Sequence, residues 1–395
     1  CAASDVYKRQ PWLCAATTAQ RLSIAAGKHL NTTMLTLPSA FIDSSEQHRQ
    51  VGPLPIWETA TMDAATRDPV DELIAAESPH TDSVWVLGRP SLMHMAEGRV
   101  AAWADDCRDL ADIPEAIRLN PLTAGDVSDS PVVWMSLPAS LDELDELLGT
   151  LWRILGPDAH IVAGGRIKHM SRSMNDVAAR WFNEVHASLG VRKARVLHFS
   201  SPRQRPAITG TWPRTNTVNG LTIRAHGGVF HTAGVDAGTS LLLDYLDAIA
   251  ADVHSDAVDL GCGNGVISAH LARLLPQATI HATDVSWQAV DSTHLTAQAN
   301  QLNIVTHWCD GLVDVPHESV DVVVTNPPFH RGTAQDHAPT LAMLADAARV
   351  LRPGGTLWCV YNNHLPWASH VRRTIGPTRQ VVRNRRYTVI RTVRR

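Results

Sequence analysis

Several things are missing from this 395-residue sequence, and each absence narrows its class. The six cysteines, Cys1, Cys14, Cys107, Cys262, Cys309 and Cys359, are scattered and include no C-x-x-C pair. That spacing argues against a zinc ribbon or a dithiol redox site, and reduced thiols in the cytosol are expected. No apolar run reaches the roughly 18 residues of a membrane-spanning helix. No H-E-x-x-H or H-x-x-x-H pattern surrounds His330, so no metal is expected there. Residues 1–40 are rich in Ala, Thr, Ser and Gln, without a signal-peptide pattern, and the first methionine is Met34. They are expected to be a non-native or disordered extension.

What is present is ordinary for a globular protein: 44% hydrophobic and 19% charged residues, which excludes a mostly disordered or collagen-like chain. The length allows two to three domains. The net charge of −4 conceals a strong segregation. Residues 41–160 hold 22 acidic and 7 basic side chains, whereas residues 161–214 hold 10 basic and 2 acidic. Residues 371–395 hold nine arginines and no acid. Such segregation suggests an anionic partner for the basic parts. The alternative is pairing of acidic and basic faces within the fold.

Apolar runs at 84–87, 132–135 and 161–163 read as strands, and leucines at 141, 144, 147, 148, 151 and 155 predict an amphipathic helix. Residues 201–219 are rich in Pro, Arg and Thr and read as a linker. Beyond them, a hairpin is expected around Gly227-Gly228 and a helix over 240–251. Strand-like runs follow at 257–260, 279–283, 304–308, 320–325, 356–360 and 387–392, most of them separated by helical segments. The pattern is α/β, doubly wound around a parallel sheet.

Residues 258–265 read Val-Asp-Leu-Gly-Cys-Gly-Asn-Gly. Gly261, Gly263 and Gly265 allow a tight turn and close backbone approach to a ligand, at a helix N-terminus that favours negative or polar atoms. Glycines alone fit a dinucleotide loop equally well. Three acids sharpen the pattern: Asp259 before the loop, Asp284 ending the next strand 23 residues after Gly261, and Asp310 after the strand that follows. Asp284 can accept from two ribose hydroxyls and Asp310 from an adenine amino group. Helix capping is the competing role for both. Together the loop and acids resemble the S-adenosylmethionine pocket of class I methyltransferases.

The strand at 320–325 ends in Asn326-Pro327-Pro328-Phe329-His330. Two prolines fix φ and remove two donors, which leaves a rigid loop presenting acceptors, the Asn326 amide oxygen and the Pro327 carbonyl. A conjugated amino group is a poor nucleophile because its lone pair is delocalised. Two acceptors can hold its hydrogens and favour the more tetrahedral nitrogen of the transition state. Phe329 can stack on a base taken out of its helix. Asn326, Pro327 and Phe329 are the candidate catalytic residues.

The Phe329-His330 ending resembles the ribosomal RNA guanine-N2 methyltransferases. Adenine and glutamine methyltransferases usually carry Tyr or Trp as the fourth residue of this motif. Three further segments are similar to that family: Gly228-Val229-Phe230-His231 with Gly234-Val235-Asp236-Ala237-Gly238-Thr239, Tyr361-Asn362-Asn363-His364-Leu365-Pro366-Trp367, and Tyr387-Thr388-Val389-Ile390. His231, where the family often has Ser, and the Arg-rich tail depart from it.

The resemblance implies two tandem class I (Rossmann-like) methyltransferase domains, the N-terminal one degenerate. It places that domain at 41–205, a linker at 206–220 and the catalytic domain at 221–395. The first half has no G-x-G-x-G, and Leu137-Pro138 stands where Asn-Pro-Pro would. Gly164-Gly165-Arg166-Ile167-Lys168-His169 and the overall length lean toward the branch acting on 23S rRNA rather than 16S rRNA. The implied activity is methylation of guanine N2 with S-adenosylmethionine as cofactor and rRNA as partner, without metal or membrane. Phosphate contacts are expected from Arg166, Lys168, Arg172, Arg192, Lys193 and Arg195, and from Arg372, Arg373, Arg379, Arg383, Arg385 and Arg386. Adenine-N6 or glutamine-N5 transfer, and a non-catalytic RNA-binding assembly factor, are the alternatives.

Overall fold

The computed structural model describes residues 67–125, 131–204, 212–327 and 338–395. Its first sheet contains β1 (Ser83–Leu87), β2 (Arg99–Trp103), β3 (Val132–Ser136), β4 (His160–Arg166), β5 (Phe182–Ala187) and β6 (Ala194–Pro202). Their spatial order is β2-β1-β3-β4-β6-β5. β1 to β4 are parallel, and β6 is antiparallel to both β4 and β5.

Successive strand residues point to opposite faces, so each face needs its own helical cover. Val84, Val86, Trp134 and Val162 share a core with Val70 and Ile74 of helix Pro69–Glu77. Trp85, Val133, Met135 and Ile161 share another with Leu144, Leu148 and Leu151 of helix Leu141–Ile154. The leucine spacing predicts this second helix to within one residue. Ser140 caps it by accepting from the Glu143 N–H at 3.3 Å.

β7 (Arg214–Val218) and β8 (Leu221–Ala225) form a separate hairpin. Its turn is Asn219-Gly220, both at positive φ (46° and 75°), as the twist of a two-residue hairpin requires. The hairpin therefore turns seven residues before Gly227, and the stretch expected to be a linker already contains a strand at 214–218. The expected 240–251 helix is two short ones, Ala237–Leu243 and Leu246–Ala250, the first starting earlier because Asp236 caps it.

The second sheet contains β9 (Asp256–Leu260), β10 (Thr279–Asp284), β11 (Val305–Trp308), β12 (Val320–Thr325), β13 (Leu351–Asn362), β14 (Thr378–Arg383) and β15 (Tyr387–Val393). Its order is β11-β10-β9-β12-β13-β15-β14. Apart from the extra edge strand β11, it repeats the first sheet: second, first, third, fourth, sixth, fifth. Again only one strand, here β15, runs against the others. β12 is buried at all six positions, which explains its apolar character, interrupted only at Asp321, before Thr325.

The two halves meet through equivalent segments. The Cys107 N–H donates to the Val285 carbonyl and the Trp287 N–H to the Asp105 carbonyl, each at 2.9 Å. Trp103 packs against Trp287 and Trp308, at centroid distances of 6.1 and 5.4 Å. His226 bridges Glu146 at 2.6 Å and Asp291 at 2.8 Å. Burial opposes its charge, but those two carboxylates outweigh it and raise its pKa to about 9. Among the described residues no helix is long and apolar enough to cross a membrane.

Candidate active site

β9, β10 and β12 end side by side, and in an open α/β sheet that edge is where a ligand fits. After β9 the chain turns through Gly261, Gly263 and Gly265, at φ of 75°, 55° and 76°. The Gly261 and Cys262 N–H groups both donate to the Thr283 carbonyl, at 2.9 and 3.0 Å. Gly265 opens helix Val266–Leu274, and a Cβ there would lie 2.9 Å from the Thr293 Cα. Only glycine serves at that position.

Asp259 lies beneath this loop. Its Oδ2 accepts from the Ser268 N–H at 3.0 Å and from the Ser268 hydroxyl at 2.5 Å, while its Oδ1 is buried without a partner among the described residues. Burial pushes its carboxyl up to about 7, against the pull of the Ser268 bonds. Asp284, half-buried at the end of β10, accepts from the Gly263 N–H at 3.1 Å and the Ser286 N–H at 3.0 Å. It thus clasps the glycine loop. Asp310 follows β11 on the surface, its side chain 61% exposed and 3.9 Å from Arg108 of the first half.

Asn326 follows β12 and is joined to the loop strand, because the Thr325 hydroxyl donates to the Leu260 carbonyl at 2.7 Å. The Asn326 amide donates to Asp236 Oδ2 and to Thr239 Oγ1, each at 2.8 Å, and its own Oδ1 is buried without a partner among the described residues. Pro327 is buried. Phe329, with Pro328 and His330, lies outside the described residues.

The arrangement therefore unites Asp259, Gly261, Gly263, Gly265, Asp284 and Asn326, with Asp310 farther out on the rim. It also recruits residues to which spacing alone assigns no role. Asn264 donates to the Thr232 and Gly234 carbonyls, both at 2.8 Å, and so ties the 229–239 segment over the loop. Asp236 and Thr239 belong to that segment. Their local signal is an Asp-x-Gly-Thr helix start, which reads only as a cap until the fold brings Asn326 against it.

Basic side chains fall into two kinds. Lys168, Arg172 and Lys193 are exposed, whereas Arg166 pairs with Asp68 at 3.3 Å and Arg192 with Glu72. In the tail, Arg391 forms a two-pronged pair with Asp252 at 2.7 and 2.8 Å, and Arg394 meets Glu318 at 2.8 Å. Arg379, Arg383, Arg385 and Arg386 remain exposed. Because Tyr387 pairs with Asn362 at the end of β13, the turn carrying Arg385 and Arg386 shares the sheet edge of Asn326.

The same edge of the first sheet is differently equipped. Gly88 follows β1 at φ 76° and donates to the Trp103 carbonyl at 2.7 Å, as Gly261 does to Thr283. Strand register then matches Ala104 with Asp284 and Ser136 with Asn326. Pro90, which has no N–H to offer, stands at the position of Gly263. A cavity of about 260 Å³ remains there, lined by Trp103, Asp105, Ser136, Glu143 and Gln288 among others. Burial pushes Asp105 up to about 6 and Glu143 up to about 7.

Comparison with known proteins agrees with this geometry. Residues 220–391 match the methyltransferase small domain family, and residues 110–204 match the RLMG N-terminal domain family. Ribosomal RNA large subunit methyltransferase G of Pseudomonas paraeruginosa is 32% identical over 280 residues, spanning 70% of this chain and 74% of that protein. Its counterpart in Streptomyces coelicolor is 35% identical over 275 residues, spanning 67% and 72%. Among solved structures, the T. thermophilus 16S rRNA N2 G1207 methyltransferase, in complex with AdoMet and guanosine, superposes with a TM-score of 0.69 at 22% identity. It covers 84% of this chain and 93% of that one, a likeness of fold. With two sheets of one topology, a glycine loop in the second only and relatives matched over most of their length, the chain belongs to the ribosomal RNA large subunit methyltransferase G family.

Proposed function

We propose that the protein methylates the exocyclic N2 of a guanine in 23S rRNA, with S-adenosylmethionine as cofactor. The observation that carries this reading is the Asn326 amide oxygen, a buried acceptor without a partner among the described residues, at the end of β12 beside the glycine loop. A buried acceptor left unpaired is costly, so it implies a donor supplied by the substrate. An exocyclic amino group is such a donor.

The residues at the ends of β9 and β10 fit the cofactor. A Cβ added at Gly261 would meet nothing within 4 Å, so there is room above the loop. Among the described residues the Thr283 hydroxyl is buried without a partner. Asp284, whose carboxylate already fixes the Gly263 N–H, is assigned to the ribose hydroxyls. Gly261, Gly263 and Gly265 permit close backbone approach, Asp259 braces the loop from below, and Asp310 is assigned to the adenine edge. The cofactor supplies an activated sulfonium methyl group. Asn326 holds one hydrogen of the amino group, which orients the nitrogen lone pair and favours a tetrahedral nitrogen as positive charge develops. Pro327 adds rigidity, and Phe329 is assigned the stacking face for the flipped base.

In this reading residues 41–205 form a recognition domain for rRNA, naked or in a subunit precursor. Residues 206–220 join it to a catalytic domain at 221–395, and the enzyme works in the cytoplasm. Lys168 and Arg172 contact phosphates. The test is incubation with labelled S-adenosylmethionine and unmodified 23S or 16S rRNA, followed by nucleoside identification. N2-methylguanosine in 23S rRNA alone is expected. The same product in 16S rRNA alone overturns the substrate, and N6-methyladenosine overturns the chemistry.

A further inference from the structure

We infer that Asp236 and Thr239 are positioning residues that lock the Asn326 amide, so that only its oxygen can face the substrate. This rests on the reading of Asn326 as the group that holds the target amine. Four donors converge on the Asp236 carboxylate: the Gly238 N–H at 2.6 Å, the Thr239 N–H at 3.2 Å, the Thr239 hydroxyl at 2.6 Å and the Asn326 amide at 2.8 Å. A carboxylate so surrounded only accepts. The Thr239 hydroxyl has one proton, and it is spent on Asp236. Toward Asn326, 2.8 Å away, that hydroxyl can therefore only accept. The Asn326 amide nitrogen thus faces two groups that can only accept from it.

The oxygen and nitrogen of an amide are otherwise free to exchange places by a flip of the side chain. Here the flipped form would set the amide oxygen against two acceptors and leave two N–H groups facing the site. The lock makes Asn326 an obligate acceptor. A ring carbonyl at the reacting position finds no donor, whereas an amino group finds its partner. The device thus selects N–H-bearing substrate edges as well as orienting the nitrogen. Asn264 holds the 229–239 segment over the glycine loop, and the segment in turn sets Asn326, so the substrate-facing atom is tied to the loop at both ends.

The test uses the full-length protein with Asp236→Asn, Asn326→Asp, their combination, Thr239→Val and Thr239→Ser. Asp236→Asn preserves the helix cap, since asparagine caps as well as aspartate. It lets the new amide donate to Asn326 and permits the flip. A kcat loss of about 100-fold is expected, comparable to losing one preorganised polar contact. KM for RNA and cofactor affinity should stay within about twofold in that variant, because the cap and loop are intact. Asn326→Asp alone sets two carboxylates together and should lose activity similarly.

In the combined variant the amide at 236 donates to the carboxylate at 326, whose other oxygen accepts from the substrate. At least tenfold recovery over either single variant is expected. Thr239→Val should lower kcat and Thr239→Ser restore it. An Asp236→Asn enzyme with wild-type kcat overturns the inference. So does a combined variant no better than the worse single one, or a loss that follows cofactor affinity or melting temperature. Failure of the functional reading is separate: it shows as the wrong product from the wild-type enzyme, whatever the variants do.

Discussion

The two sheet edges at the ends of β1 and β9 share a turn, a left-handed glycine and a hydrogen bond back to the second strand. Three of their differences bear directly on the site. Where the second half has Gly263, Asp284 and Asn326, the first has Pro90, Ala104 and Ser136. Proline removes a donor, alanine removes the carboxylate that clasps the loop, and serine is too short to reach a neighbouring helix cap. The topology survives these losses because it is held by the buried faces of the strands, which use other residues. A cavity persists at the first edge, but its wall is acidic and part of it is Gln288 of the other half. Fold and site are thus separable in this chain, and the interface has grown over the edge that lacks the loop.

That contrast can be broken at its sharpest point. Asn326→Ala should lower kcat by about 10²–10³-fold, whereas Ser136→Ala at the matching position should leave it unchanged, as steady-state methyl transfer will show. The interface offers the next largest effect. His226 has a folded pKa of about 9, above its ordinary value near 6.5. Its stabilisation is therefore complete below pH 6.5 and lost as pH rises through 9. Melts across that window should show about 3 kcal/mol disappearing, with a flat profile in His226→Gln.

The glycines sharpen the comparison further. Gly265→Ala is strained at φ 76° and pushed against the Thr293 backbone, and should cost about 2 kcal/mol of stability by denaturant titration. Gly88→Ala shares the dihedral but meets only the Ser136 Cβ at 3.4 Å, so about 1 kcal/mol is expected. The smallest effect belongs to the surface. Lys168→Glu with Arg172→Glu should weaken rRNA binding several-fold and flatten its salt dependence, leaving cofactor affinity intact, as filter binding at varied ionic strength can show. Unchanged RNA affinity would remove the first half from recognition.

Much of this was legible in the residues. β12 reads as a buried strand because Val320, Val322, Val323 and Val324 interrupt their apolar run only at Asp321, and the helix at 141–154 because its leucines recur at helical spacing. β2, β5 and β14 were not. Arg99–Trp103 mixes an arginine and two alanines with only two larger apolar residues, Phe182–Ala187 is exposed at most positions, and Thr378–Arg383 carries two arginines on an edge. Such strands are held by their neighbours rather than by a pattern of their own. The Asp310 carboxylate lies where its strand ends, yet it faces solvent and Arg108, which no spacing could show.

Local sequence by itself determined the glycine loop, the helix caps and the α/β class. Each depends on backbone preferences and on periodicity within a few residues. The tertiary structure alone decided that Asp236 and Thr239 face Asn326 across some ninety residues, that His226 stands between acids from both halves, and that Asp259 works from beneath the loop. Those pairings follow from which strands lie adjacent, and adjacency is set by burying both faces of each sheet, a property of the whole chain rather than of any one segment.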